Sequence, residues 1–201
     1  MKIFSECNLS EVIAQVNDGG TVVFPTETSY GLGCDATNQK AVDAIFQIKG
    51  RSDDKPLLIV VPTVAMAKFF LVWNNTMEKL ANAYWPGALT IVGLAQDRSG
   101  LARGVISKNN TVAVRVTNNQ HVKFLTESLG KPIVATSANI SGAGDVYSGQ
   151  MAAEMFAKAA HQPDIILDMG ELVHNQPTTI VDASNDSIKI LRQGGIEIKN
   201  A

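Results

Sequence analysis

The chain has 201 residues, 45% of them hydrophobic and 18% charged, so it can bury a sizeable core and is not a disordered segment. A formal net charge of −2 weighs against a whole basic face for nucleic acid and leaves room for a local basic pocket. Its two cysteines, Cys7 and Cys34, are too few and too unpatterned for a disulfide framework or a zinc site, and they fit a reducing cytosol.

From the start, "MKIFSECNLSEVIAQ" shows no apolar run resembling a signal peptide, and nowhere do about 18 apolar residues run together. The expectation is a soluble cytoplasmic protein with no membrane segment. Residues 10–20 predict a helix, with Ser10 as N-cap, Val12, Ile13 and Val16 on one face and a Gly-Gly stop. A short β-branched strand follows at 21–25. The 38–50 stretch predicts a helix that places Val42, Ile45, Phe46 and Lys49 on a shared side and ends at Gly50. "PLLIVV" (56–61) reads as a buried strand. Further helices are expected at 63–70, 76–84, 119–129 and 148–160, and further strands at 89–95, 111–116, 132–136, 164–168, 178–183 and 187–191. Near-continuous apolar strands separated by helices imply one α/β domain, a largely buried sheet with helices packed on it. Residues 9–195 are assigned to that domain, with 1–8 and 196–201 as terminal extensions.

The polar residues gather where strands end. "PTETSYGLG" (25–33) presents the hydroxyls of Thr26 and Thr28, with Gly31 and Gly33 allowing close backbone approach. An ordinary turn uses the same residue types. "KGRSDDKPL" (49–57) crowds Lys49, Arg51 and Lys55 into one connection. The helix dipole accounts for Lys49, and Asp53 and Asp54 offer local counter-charge. A bound polyphosphate or carboxylate accounts for all three cations together. In "TVAVRV" (111–116), Arg115 sits either on a solvent-facing edge or on the wall of an anion pocket. "PIVATSANISG" (132–142) runs a strand into Thr136, Ser137 and Asn139, which make either an Asx/ST turn or a cradle for phosphate or ribose oxygens. "PTTIVDAS" (177–184) and "ILRQGG" (190–195), with Arg192, repeat the pattern.

Several signatures are absent: the GxxxxGK[ST] phosphate loop, GxGxxG after the first strand, GxSxG and HExxH. His121, His161 and His174 fall outside the polar strand ends and read as surface or core residues. Cys34, next to the glycine turn, reads as a small packed residue. Chemistry by cations and oriented donors, without a covalent nucleophile, suits nucleotidyl transfer.

Taken together, "PTETSYGLG", "KGRSDDKPL", "WPGALT" (85–90), "TVAVRV", "TSANISG" and "PTTIVD" resemble, in order, the YrdC/TsaC family of L-threonylcarbamoyladenylate synthases. The resemblance runs from about residue 9 to residue 195, and the family's K-x-R and S-x-N signatures fall at Lys49/Arg51 and Ser137/Asn139. It implies a twisted mixed parallel/antiparallel sheet flanked by helices around a large concave cavity lined by positive charge. It also implies that L-threonine, bicarbonate and ATP give threonylcarbamoyl-adenylate and pyrophosphate, for N6-threonylcarbamoyladenosine in tRNA. Carried over by position, Lys49 and Arg51 are the catalytic pair that holds phosphates or bicarbonate. Arg51, Lys55, Thr111, Ser137, Asn139 and Arg192 contact ATP, and Thr28, Arg115, Ala135 and Thr178 line the threonine site. The resemblance implies Mg2+ held through the ATP phosphates with no protein metal ligands. It further implies separate threonylcarbamoyl-transferase proteins as partners, with weak direct tRNA binding left open.

Three departures accompany the match. Ser52 follows Arg51 where a proline is frequent, Val60 replaces a histidine of longer relatives, and Thr178 replaces the usual serine with its hydroxyl kept. Ending at Ala201, the chain resembles the short single-domain form. Two other readings stand beside the enzyme: a module binding tRNA or rRNA on its concave surface, and a paralogue acting on another substrate. A pI near 5.9 weighs against the first, and the retained signature residues weigh against the second.

Overall fold

The computed structural model describes residues 1–5, 8–51, 55–97 and 99–199, so Cys7, Ser52, Asp53 and Asp54 lie outside the described residues. In chain order the elements are β1 (Lys2–Phe4), α1 (Leu9–Asn17), β2 (Val22–Pro25), β3 (Tyr30–Gly33), α2 (Gln39–Lys49), β4 (Ile59–Val61), α3 (Val64–Phe70) and α4 (Asn75–Tyr84). There follow β5 (Leu89–Leu94), β6 (Thr111–Val116), α5 (Gln120–Leu129), β7 (Ile133–Val134), β8 (Thr136–Ser137), α6 (Gly149–Phe156), β9 (Ile165–Leu167), β10 (Thr179–Asp182) and β11 (Lys189–Arg192). The alternation of strands and helices follows the sequence pattern. No helix among the described residues is long and apolar enough to cross a membrane.

Local chemistry starts and stops these helices. The side chains of Asn38, Thr63, Asn74, Asn119 and Ser148 accept backbone N–H bonds from the first turns of α2, α3, α4, α5 and α6. Gly50 closes α2 in the left-handed region at φ 56°, where a side chain would be strained. Ser10 does not cap α1 as expected. That helix begins at Leu9 with Asn8 in the cap position, two residues earlier than expected.

Hydrogen bonding divides the expected sheet into two mixed sheets, β1-β9-β2-β3-β8 and β11-β10-β5-β6-β4-β7. β1, in the segment assigned to a terminal extension, pairs in parallel with β9. β3 was read as part of a turn, because glycines at 31 and 33 lower its strand propensity. It instead pairs antiparallel with β2 in the register Val22↔Gly33 to Pro25↔Tyr30. Gly33 is required by close packing: a Cβ there would run into the Val134 carbonyl oxygen of β7.

The two sheets meet where the chain leaves β7, which pairs with β4, and enters β8, which pairs with β3. Only Ala135 separates the two strands, so residues 133–137 belong to both layers. One buried cluster includes Leu32, Ile45, Ile59, Met77, Ile91 and Phe156. A second includes Val12, Val16, Phe24, Leu125 and Ile165 under α1 and α5. β2 does not alternate: Val22, Val23 and Phe24 are all buried, as the apolar runs predict.

Candidate functional site

Between the two sheets lies a cavity of about 350 Å³, within the range of small-molecule sites. Each wall comes from a polar strand end. In β6, Val112, Val114 and Val116 turn to the core, while Ala113 and Arg115 line the cavity, as a period of two requires. In β10 the same alternation buries Thr179 and Val181 and gives Ile180 to the wall, with Thr178 lining it from just ahead of the strand. The β2–β3 loop is a turn held by Thr26: its hydroxyl donates to the Ser29 carbonyl at 2.6 Å and accepts the Thr28 N–H at 3.2 Å. The turn is of the ordinary kind, and it aims Thr28 into the cavity.

Of the residues singled out in the sequence, Thr28, Arg51, Arg115, Ala135, Ser137, Thr178 and Arg192 come together on the cavity wall. Lys49, Lys55, Thr111 and Asn139 do not line it. Lys49 is 3% exposed, and its ammonium donates to the Ser137 carbonyl at 2.6 Å and to the Asn139 carbonyl and Oδ1, each at 2.9 Å. Three donors meet three acceptors, so its hydrogen-bonding capacity is filled by the loop after β8. Burial, then the charge of Arg51, lowers its pKa to about 8 against an opposing pull from Asp145. Asn139 continues the brace: its Oδ1 also accepts from the Ser137 hydroxyl at 2.7 Å, and its amide donates to the Ala143 carbonyl at 2.6 Å. Lys55 is exposed and presents its backbone carbonyl to the Arg51 guanidinium at 2.7 Å. Thr111 shares a 2.7 Å hydrogen bond with the Ser107 hydroxyl.

Arg192, from β11, donates through Nε to the Thr178 carbonyl at 3.0 Å and through Nη2 to the Thr178 hydroxyl at 2.7 Å. The Thr90 hydroxyl, from the "WPGALT" stretch, also donates to Thr178 Oγ1 at 3.3 Å. With two bonds accepted, the Thr178 O–H is left to donate to a cavity ligand. Burial, then the nearby Arg115, lowers the Arg192 pKa, with Asp145 opposing; burial alone lowers that of Arg51. Among the described residues, Arg51 Nε and Arg115 Nε are buried donors with no hydrogen-bond partner. A wall of crowded guanidinium groups with unused donors is built for an anion.

Three residues at or beside the cavity escaped the sequence reading. Asp145 and Asn175 line the cavity from loops whose residue types are common in any turn. Glu27, inside the quoted "PTETSYGLG", pairs through Oε2 with Arg115 Nη2 at 3.5 Å. Its signal was a charge between two hydroxyl residues at a strand end. Cys34 is fully buried, and burial followed by Asp35 pushes its thiol far up, in keeping with a packing role. Arg115 is 4% exposed, which decides between edge and pocket in favour of the pocket.

Comparison with known proteins places the chain in a family. The Sua5/YciO/YrdC family model, described as telomere recombination, matches residues 14–194. The chain belongs to the Sua5/YciO/YrdC family. A family relative, the threonylcarbamoyl-AMP synthase of Pseudoalteromonas translucida, is 34% identical over 186 residues, covering 91% of this chain and 97% of its own. The structure of Pyrococcus abyssi Sua5 complexed with L-threonine superposes with a TM-score of 0.89 at 32% identity. That match covers 97% of this chain and 58% of the Sua5 chain, so this chain spans a little over half the archaeal protein's length. Escherichia coli YciO, 24% identical with a TM-score of 0.85 over 99% of this chain and 98% of its own, shares the fold.

Proposed function

We propose that this member of the Sua5/YciO/YrdC family is an L-threonylcarbamoyladenylate synthase, a nucleotidyltransferase acting on L-threonine, bicarbonate and ATP. The observation that carries the reading is the cavity wall of Arg51, Arg115 and Arg192 with unused buried donors beside the hydroxyls of Thr28, Ser137 and Thr178. The names of the relatives and the threonine-bound Sua5 structure support the same substrates.

In this reading the amine of threonine adds to the carbon of bicarbonate with loss of water, giving a carbamate. A carbamate oxygen then attacks the α-phosphorus of ATP, and the bond to pyrophosphate breaks. The nucleophile is already an anion, so no side chain has to remove a proton from it. The work left to the protein is to hold like charges together and to stabilise charge on the phosphoryl oxygens. Arg51 and Arg192 serve the triphosphate. Ser137, held in place by the Lys49 brace, presents its hydroxyl beside them, and Asn139 completes that brace. Arg115, Thr28 and Thr178 serve the amino acid, whose carboxylate matches a guanidinium and whose small side chain matches Ala113 and Ala135. Lys55 and Thr111 stand outside the wall and would reach ATP only at its margin.

Mg2+ would arrive on the triphosphate. Among the described residues no group of three or more His, Cys, Asp and Glu side chains comes together, and Asp145 is the acidic side chain on the cavity wall. That donor set fits a metal held chiefly by phosphate oxygens and touched by Asp145, where it would neutralise charge on the triphosphate. Separate transferase proteins acting on tRNA would consume the product.

The test is pyrophosphate release from the purified chain with ATP, bicarbonate and L-threonine, each omitted in turn. Release that needs all three and falls at least a hundredfold in R51A, about 2.7 kcal/mol of barrier, supports the synthase. Folded, ATP-binding protein that releases pyrophosphate without regard to threonine would sink it.

A further inference from the structure

Glu27 touches more of the cavity's frame than its place in a four-residue loop suggests. It sits on the β2–β3 connection of the five-stranded sheet, between Thr26 and Thr28. Its carboxylate reaches across to the six-stranded sheet. Oε1 accepts the Thr117 hydroxyl and the backbone N–H groups of Asn118 at 2.8 Å and Asn119 at 3.2 Å, just ahead of α5. Oε2 faces Arg115 Nη2 at 3.5 Å, with side chains 11% and 5% exposed. The Glu27 backbone carbonyl accepts the side-chain amide of Asn175, which lies on the chain crossing from β9 to β10. Burial pushes the Glu27 carboxyl up, but Arg115, then Thr117 and the backbone donors, outweigh it and hold the pKa below the usual carboxylate range. The group is therefore an anion at neutral pH.

Oε2 makes no hydrogen bond among the described residues, and neither does Arg115 Nε. The pair is thus attractive yet geometrically open, leaving the guanidinium able to engage a second anion. Thr28 and Arg115 approach the cavity from different sheets, and Glu27 is bonded to the frame of both.

We infer that Glu27 is a positioning residue that clamps the two sheets together at the amino-acid end of the cavity, setting Arg115 and Thr28 at a fixed separation for a substrate carboxylate. This rests on the synthase reading of the same cavity. Misplacement of one such group by about 1 Å costs on the order of a hundredfold in a preorganised site. Loss of the charge alone, with the Oε1 acceptor kept, costs less.

The test is L-threonine affinity by ligand-observed NMR titration of the full chain with a non-hydrolysable ATP analogue, for wild type, E27Q, R115Q and the double variant. ATP affinity and melting temperature are measured alongside. E27Q is expected to weaken threonine about tenfold while ATP affinity stays within about twofold, and the double variant to bind threonine no more weakly than R115Q. Wild-type threonine affinity in E27Q, with R115Q impaired, would overturn the clamp and leave the synthase reading intact. A threonine loss in E27Q matched by an equal ATP loss, or adding in full to that of R115Q, would also overturn it, because Glu27 would then act as general support. Absence of threonine binding by wild type would overturn the reading beneath it. Should E27Q not melt cooperatively, E27D keeps the charge and shortens its reach, with about a threefold loss expected; unchanged affinity there would refute the clamp.

Discussion

Lys49→Met separates two accounts of a signature lysine: one that binds phosphate and one that builds the loop that does. Methionine matches the stem in length and removes the ammonium, leaving the Asn139 carbonyl without its donor at 2.9 Å and taking one of two donors from the Ser137 carbonyl and from Asn139 Oδ1, which keep the Asn139 N–H and the Ser137 hydroxyl. An unsatisfied buried acceptor costs about 1–3 kcal/mol. Part of that sum is returned, because the cost of burying the ammonium, visible in its lowered pKa of about 8, disappears as well. A net loss of about 2–3 kcal/mol follows, which for a chain of this size lowers the melting temperature by roughly 4–12 °C. ATP affinity falls in parallel, since the Ser137 hydroxyl loses its frame. Thermal melts and ATP titrations of K49M and wild type read both quantities. A variant that melts like wild type and loses only ATP binding would refute the brace, and would mean that the ammonium leaves the loop to meet the nucleotide.

The lowered pKa of Lys49 gives a second test of the same brace. Below about 8 the side chain is an ammonium with three donors; above it, the neutral amine has two, so the Ser137 and Asn139 amide resonances are expected to titrate with a midpoint near 8. A flat response across that range would contradict the assignment. Gly33→Ala places a methyl group against the Val134 carbonyl oxygen, where only separation of β3 from β7 relieves the contact, and is expected to cost about 3 kcal/mol in urea unfolding. Unchanged stability would mean that the two sheets are not in contact there. The Glu27 carboxyl, held below the ordinary value of 4.5, contributes stability that is fully present above that value and lost as pH falls through its folded pKa. The stability gap between wild type and E27Q should therefore be constant near neutrality and shrink in acid below about 4.5; a gap that persists unchanged into strong acid would be inconsistent with the ion pair.

Most helices and core strands were legible because their signals are local. Asn38 and Gly50 bracket α2, and Val42, Ile45 and Lys49 share its buried side as their spacing requires. β3 was hidden because what makes it a strand is not local: its glycines are poor strand formers, and one of them, Gly33, is there to admit β7. The division into two sheets was hidden for a related reason. A single residue, Ala135, separates strands belonging to different sheets, and no periodicity changes there. Within the site, residue type revealed the arginines and hydroxyls that line the wall. It could not separate Arg51, which faces the cavity, from Lys49, whose charge is taken up behind it, since both are cations in one short motif. Glu27 and Asp145 carry the opposite sign from the expected ligand partners, so a search for anion-binding residues passed over them.

The crowding of cations in an acidic chain has a physical account in this division of labour. Arg115 is opposed by Glu27, and Arg192 leans on the carbonyl and hydroxyl of Thr178. Lys49 leans on two carbonyls and an amide oxygen. Each charge thus has enough partners to be tolerated in the folded chain, but the arginines of the wall do not have enough to be satisfied. Arg192 and Arg115 still repel, and burial still disfavours Arg51. An anionic ligand on such a wall offsets this mutual repulsion, so the binding free energy of phosphate and carboxylate groups would be drawn partly from the protein's own unfavourable charges. Full neutralisation by acidic residues would have made a more stable protein and a poorer site. Preorganised donors are strongest when nothing else occupies them: Glu27 faces Arg115, and Lys49 and Asn139 brace the Ser137 loop, while Arg51 Nε and Arg115 Nε stay unused.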